Sequence, residues 1–143
     1  MSKGDTFEND LLKLIFNATA IANIADNAAS SPLTNLYVAL HTADPGEAGT
    51  QATSECAYTG YARVAVARTS GGWTITANSV SPNANITFGT CTASPGAAAT
   101  HASIGVASSG STKLLYSGAL SSPITIAVSA APVIASGSTI TED

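Results

Sequence analysis

Four residues in the N-terminal half have side chains suited to chemistry and lie close enough in sequence to act together: His41, Asp44, Glu47 and Glu55. A hydrolytic site needs a nucleophile, a base and an orienting group in contact. Serines are so frequent here that one beside a histidine carries almost no information, and no GxSxG, HExxH, P-loop or dinucleotide fingerprint occurs. Asp44, Glu47 and Glu55 offer oxygen ligands of the kind calcium takes, but without EF-hand spacing. A zinc site would have to be built from Cys56, Cys91, His41 and His101, and no local ligand spacing supports that set. The bland reading is favoured: Thr42-Ala43-Asp44-Pro45-Gly46 ends a strand and turns, with the Asp44 carboxylate bonding nearby backbone. The chain is therefore expected to hold no catalytic residue, metal or cofactor, and not to be an enzyme.

Aromatic residues give a second set. Tyr58, Tyr61 and Trp73 suit an aromatic platform for sugar, and equally the anchors of a core or an interface; with so few aromatics in the chain, core or interface is favoured. Together with the acidic residues they make the partner-contact candidates: Asp44, Glu47, Glu55, Tyr58, Tyr61 and Trp73.

The elements that must position these residues follow from periodicity. Phe7, Leu11, Leu14, Ile15, Ala18, Ala22 and Ala25 recur at helical spacing and predict one amphipathic helix over about residues 6–25. Asp5 is placed as its N-cap, with Glu8 three residues on, and Ser30-Ser31-Pro32 ends it. After Pro32 the period falls to 2. Leu36, Val38 and Leu40 alternate with Tyr37, Ala39 and His41, as in a strand with one face on a core. A connection over residues 43–59 follows, at about 17 residues longer than the usual link and so a candidate for contacting a partner. Residues 61–68 predict a second strand, with Val64 and Val66 on one face and Arg63 on the other. Ser70-Gly71-Gly72 predicts a hairpin turn into Trp73, Thr74 and Ile75. Further short strands are predicted over 86–88, 102–107, 113–117, 124–128, 133–135 and 138–141, separated by Gly, Ser and Pro turns that include Ser122-Pro123. This spacing favours a mainly β fold, an antiparallel sandwich or jelly roll over about 33–141 carrying one N-terminal helix.

Composition bounds the function. The 143 residues predict a single domain over 1–143. Hydrophobic residues make 45% of the chain and charged residues 10%, so it should fold, and little like-charge repulsion keeps copies apart. A net charge of −4 with scattered Lys3, Lys13, Arg63, Arg68 and Lys113 excludes nucleic-acid binding as the main task. Asp5, Glu8 and Asp10 interrupt any signal-like start, and no uncharged apolar run reaches the roughly 20 residues of a membrane span. Synthesis in the cytoplasm is expected, without membrane partners. There Cys56 and Cys91 are expected as two thiols, a disulfide being the alternative.

One resemblance narrows the field. The segments Leu36-Tyr37-Val38-Ala39-Leu40-His41-Thr42-Ala43-Asp44-Pro45-Gly46-Glu47 and Ala57-Tyr58-Thr59-Gly60-Tyr61-Ala62-Arg63-Val64-Ala65-Val66, behind an N-terminal helix, resemble a family of small bacteriophage virion structural proteins often labelled tail-fibre proteins. Such proteins are also similar in size and strand content to jelly-roll cement proteins that decorate phage heads. The resemblance implies a structural place in the virion, among other phage structural proteins and copies of the chain itself. A fibre shaft needs heptads or β repeats, which this sequence lacks. The favoured expectation is therefore capsid decoration, a cement protein bridging subunits of the major capsid protein and stabilising the assembled head by mass action. The alternative is a tail-associated protein, either a tail fibre or a module binding a receptor or carbohydrate.

Overall fold

Residues 5–21 and 32–142 are described by the computed structural model of this chain. Strands make 37% of it, in antiparallel sheets, and helix 9%. This is the mainly β, one-helix class that the turn spacing predicts. The described residues fall into two units. One is drawn from the segments Met1–Asn35, Ala67–Asn85 and Ala135–Asp143, the other from Leu36–Val66 and Ile86–Ile134. No described helix is long and apolar enough to cross a membrane.

In the first unit the helix α1 runs Asp5–Asn17, shorter than periodicity predicts. Ala18 takes the left-handed conformation at φ 54°, and the Thr19 amide donates to Lys13 O at 3.1 Å, so the helical ladder stops. Ala22, Ala25 and the side chain of the predicted cap Asp5 lie outside what is described. The inward stripe is also rotated by one position: Glu8, Leu12 and Phe16 are buried, whereas Leu11, Leu14 and Ile15 are half-buried and Phe7 is exposed. Residues 11–16 are apolar except Lys13, so periodicity alone cannot orient the helix. An edge-to-face contact between Phe16 and Trp73, with centroids 4.8 Å apart and planes at 68°, accompanies the observed orientation.

Trp73 opens β3 (Trp73–Thr76), which pairs antiparallel with β4 (Ser79–Pro82), and β4 pairs in turn with β9 (Ile140–Thr141). The turn between β3 and β4 has two residues, with Ala77 at φ 52°; Asn9 of α1 donates to its carbonyl at 2.7 Å. The sequence reading expected a hairpin at residues 70–72 and missed β4, because Ser79-Val80-Ser81-Pro82 is short and ends on proline. The turn at 69–72 does form, with Gly72 N donating to Thr69 O at 2.9 Å, but the strands it joins lie in different sheets.

The second unit is built on a four-stranded sheet in the order β2-β1-β6-β7, with β1 at Asn35–His41, β2 at Val64–Ala67, β6 at Ala99–Gly105 and β7 at Leu114–Ile124. A two-stranded ladder joins β5 (Ile86–Thr87) to β8 (Val133–Ile134). Val38 lies opposite Ile104 and His41 opposite His101. Strict alternation fails at the end of β1, where Ala39, Leu40 and His41 are all buried, because residues 51–56 fold back along it: His41 bridges Glu55, and Cys56 N donates to Leu40 O at 2.8 Å. Of the segments 113–117 and 124–128, expected as two strands, residues 114–117 lie in β7, which runs on to Ile124, whereas residues 125–128 are not in a strand. The register of β7 passes from His101↔Ala119 to Ala99↔Ile124, which leaves residues 120–123 opposed only by Thr100. The predicted turn at Ser122-Pro123 is realised as this irregularity within a strand.

Arg68 terminates α1. Its Nε donates to Ile15 O at 2.6 Å and its Nη2 to Leu14 O, supplying donors to carbonyls that a helix end leaves open, while its Nη1 donates to Leu33 O at 3.3 Å outside the helix. Arg68→Ala should lower stability by about 1.5–3 kcal/mol, the usual worth of hydrogen bonds to a charged group. The expected readout is a lower urea midpoint with reduced helical circular dichroism, and Arg68→Lys recovers only part of the loss.

Candidate functional site

Arg63 is the charged side chain around which the polar interior of the second unit is arranged. Its Nε donates to Glu55 Oε1 at 2.7 Å and its Nη2 to Glu55 Oε2 at 2.8 Å, a two-pronged ion pair in which the side chains are only 1% and 17% exposed. The remaining guanidinium hydrogens reach Gly110 O at 2.8 Å, Ala107 O and Thr112 Oγ1 at 3.1 Å, and Gln51 Oε1 at 3.3 Å. Arg63 thereby fastens the segment 51–55 and the turn 107–112 to the approach to β2. The bonds to Glu55 hold its pKa above the ordinary arginine value against the opposing effect of burial.

Tyr61 lies next to this pair. Its hydroxyl donates to Glu55 Oε1 and accepts from Leu40 N, both at 3.0 Å, and burial pushes its pKa well up, so it stays protonated. The ring stacks on Phe88 with planes at 8° and meets Tyr58 edge-on at 5.3 Å. Gly60 makes this corner possible: it takes φ +101°, and a Cβ there would overlap the Thr90 carbonyl.

Gln51, fully buried, donates to Tyr37 O at 2.9 Å, and its own amide donates to Thr112 O at 3.1 Å. Its side chain occupies the space above Gly105, where any Cβ would overlap it. His41, also fully buried, has its Nδ1 at 2.8 Å from Thr53 O and its Nε2 at 2.7 Å from Ser103 Oγ. The carbonyl can only accept, which assigns the proton to Nδ1 and makes the Ser103 hydroxyl the donor to Nε2. Burial lowers the His41 pKa, which is consistent with this neutral ring. Ser103 and His41 thus meet as a nucleophile and base would, yet both are sealed from solvent, and the pair fixes residue 53 to the sheet.

The sequence-selected residues separate into two groups. Asp44 and Glu47 are exposed, and Asp44 Oδ1 accepts from Gly46 N at 2.9 Å in the local turn. Glu55, Tyr58, Tyr61 and Trp73 turn inward: Glu55 is engaged by Arg63 and Tyr61, Tyr58 donates to Gly89 O at 2.9 Å, and Trp73 is buried against Phe16 in the first unit. Tyr58 and Trp73 therefore present no open ring for a sugar to stack on. Sequence reasoning passed over Arg63, Gln51 and Ser103. The available signal was an arginine inside Tyr61-Ala62-Arg63-Val64-Ala65-Val66, in a chain that has only five basic residues.

A depression of about 220 Å³ opens between residues 55–58 and 94–97. Cys56, beside it, is a free thiol whose pKa burial pushes up to about 11, with Glu55 adding to the effect; burial raises Tyr58 to about 12. Both are protonated near neutrality, so neither is an activated nucleophile. Cys91 is likewise free and buried. Among the described residues no group of three or more metal-ligating side chains converges.

Compared with known proteins, residues 3–142 match a family described as Podophage GP4 fiber I protein gp80. No curated protein matches the chain.

Two outcomes test the polar hub. Glu55→Gln leaves a buried guanidinium without its counter-charge and should cost toward the lower end of about 3–5 kcal/mol in urea unfolding. The double change Arg63→Met with Glu55→Leu should cost less than the sum of the two single changes, since no charge is then left behind. For His41 the sign follows from its lowered pKa. The unfolded chain protonates near 6.5, while the folded ring resists, so stability is full above that value and falls as pH drops toward the lower native pKa. His41→Asn should be less stable at about pH 7 and lose less than the wild type on moving to about pH 5.

Proposed function

We propose a tail-associated structural role in the virion, from the premise that the chain belongs to the Podophage GP4 fiber I protein gp80 family. The match across residues 3–142 is the observation that carries this reading. It makes the chain a phage structural protein, and the word fiber in the family's description favours the tail over the capsid-cement role that low charge and the lack of a shaft suggested.

The geometry is compatible with a part whose work is to hold shape. The connection over residues 43–59 is fastened by Arg63–Glu55, His41–Thr53 and Gln51–Tyr37, so its exposed residues Asp44 and Glu47 are carried on a fixed support. A surface presented this way loses little freedom on meeting a neighbour, which favours a permanent joint between virion parts. Its partners are then other phage structural proteins and further copies of itself. Recognition of a host sugar by stacking is less favoured, because Tyr58 and Trp73 are occupied inside.

Location and copy number in purified particles of the encoding phage test this. Gold-labelled antibody should mark the tail, and quantitative mass spectrometry should find a handful of copies per particle. Hundreds of copies, with label spread over the head, would restore the cement reading; absence from the particle would remove any structural role.

A further inference from the structure

Ser103, His41 and Gln51 lie in an interior closed to solvent, with exposures of 2%, 0% and 0%. A nucleophile and base sealed in this way can act only on an acyl group that the chain itself carries inside. One is in place. Gln51 Nε2 lies 3.5 Å from Ser103 Oγ, so the carboxamide carbon is one bond from an atom in contact with the hydroxyl. Its position is fixed: a Cβ on Gly105 would overlap the carbon and oxygen of that carboxamide, and Gly105 follows Ser103 on the same face of β6. Ser103 Oγ is 2.7 Å from His41 Nε2, and His41 Nδ1 is 2.8 Å from Thr53 O. That is the nucleophile, base and orienting-group order of an acyl-transfer triad, with a backbone carbonyl as the third member. Gln51 Oε1 accepts from Arg63 Nη1 at 3.3 Å and lies 3.5 Å from the Thr112 hydroxyl, two donors placed where attack on the carbon would build negative charge.

We propose that these residues form a self-crosslinking site, which joins Ser103 to Gln51 through an intramolecular ester. Ser103 Oγ passes its proton to His41 Nε2 and bonds to the Gln51 carboxamide carbon, while Arg63 and Thr112 meet the charge that gathers on Oε1. The imidazolium then gives its proton to the amide nitrogen, the C–N bond breaks, and ammonia leaves. A hydroxyl and a primary amide become an ester and ammonia, so the step balances without a co-reactant. Exclusion of water afterwards protects the ester from hydrolysis. Thr112 has a hydroxyl equally near the amide, but that hydroxyl bonds Arg63 and Gln51, neither of which is a base, and this selects Ser103. The bond ties the connection over residues 43–59 covalently to β6. This inference concerns the interior of the second unit and stands wherever in the virion the protein resides.

The test is the intact mass of the whole folded chain, held at neutral pH and sampled over days. A species lighter by one ammonia should accumulate. Trypsin should then release residues 14–63 joined to residues 69–113, with fragmentation placing the link on Gln51 and Ser103. Hydroxylamine, which cleaves esters, should part the two peptides. Ser103→Ala should give none of the linked species, and His41→Asn should slow its formation about a hundredfold or more. The wild-type measurement decides the matter even if a variant fails to fold. A chain that keeps its full mass, an ammonia loss confined to one peptide, or a link placed on Thr112 overturns the proposal.

Discussion

A guanidinium taken out of water is tolerated only where a counter-charge and acceptors for its remaining hydrogens are already in place. Much of the second unit can be understood as meeting that condition for Arg63. Glu55 supplies the charge, and it lies where the connection folds back far enough to bridge His41. Gly110 and Ala107 supply carbonyls from the turn after β6. Removing water from this pair raises the penalty for breaking it, so a connection of unusual length is held in one place rather than sampling many.

The hub also explains residue choices that appear arbitrary in isolation. Gln51 enters the interior because its oxygen accepts from Arg63 while its nitrogen is received by the Tyr37 carbonyl, and Gly105 is bare where that side chain passes. Tyr61 faces inward because its hydroxyl joins Glu55 to the Leu40 amide. His41 and Ser103 satisfy each other and bind Thr53. Each polar atom named here is paired, as low surrounding dielectric demands.

Mainly β architecture was legible because it rests on local signals: the switch to period 2 after Pro32 and the repeated Gly, Ser and Pro turns. Asp44 was legible for the same reason, since an Asx turn involves only its own neighbours. The strand partners were not. Ser70-Gly71-Gly72 makes its turn, but which strands then pair depends on residues far along the chain, and β3 takes β4 rather than β2. The helix stripe was misread by one position because Leu11-Leu12-Lys13-Leu14-Ile15-Phe16 offers several apolar faces, among which contact with Trp73 distinguishes one.

By itself, then, the sequence determined the β class, an N-terminal helix, the turns and the family resemblance, all of which are properties of short windows. Tertiary structure decided that Glu55 and Tyr61, which by type look like surface contacts, serve the interior, and that Arg63 organises it. The physical reason is that a carboxylate and a guanidinium become an internal pair only when the fold brings them within about 3 Å of one another and excludes water. Sequence spacing carries no record of that exclusion.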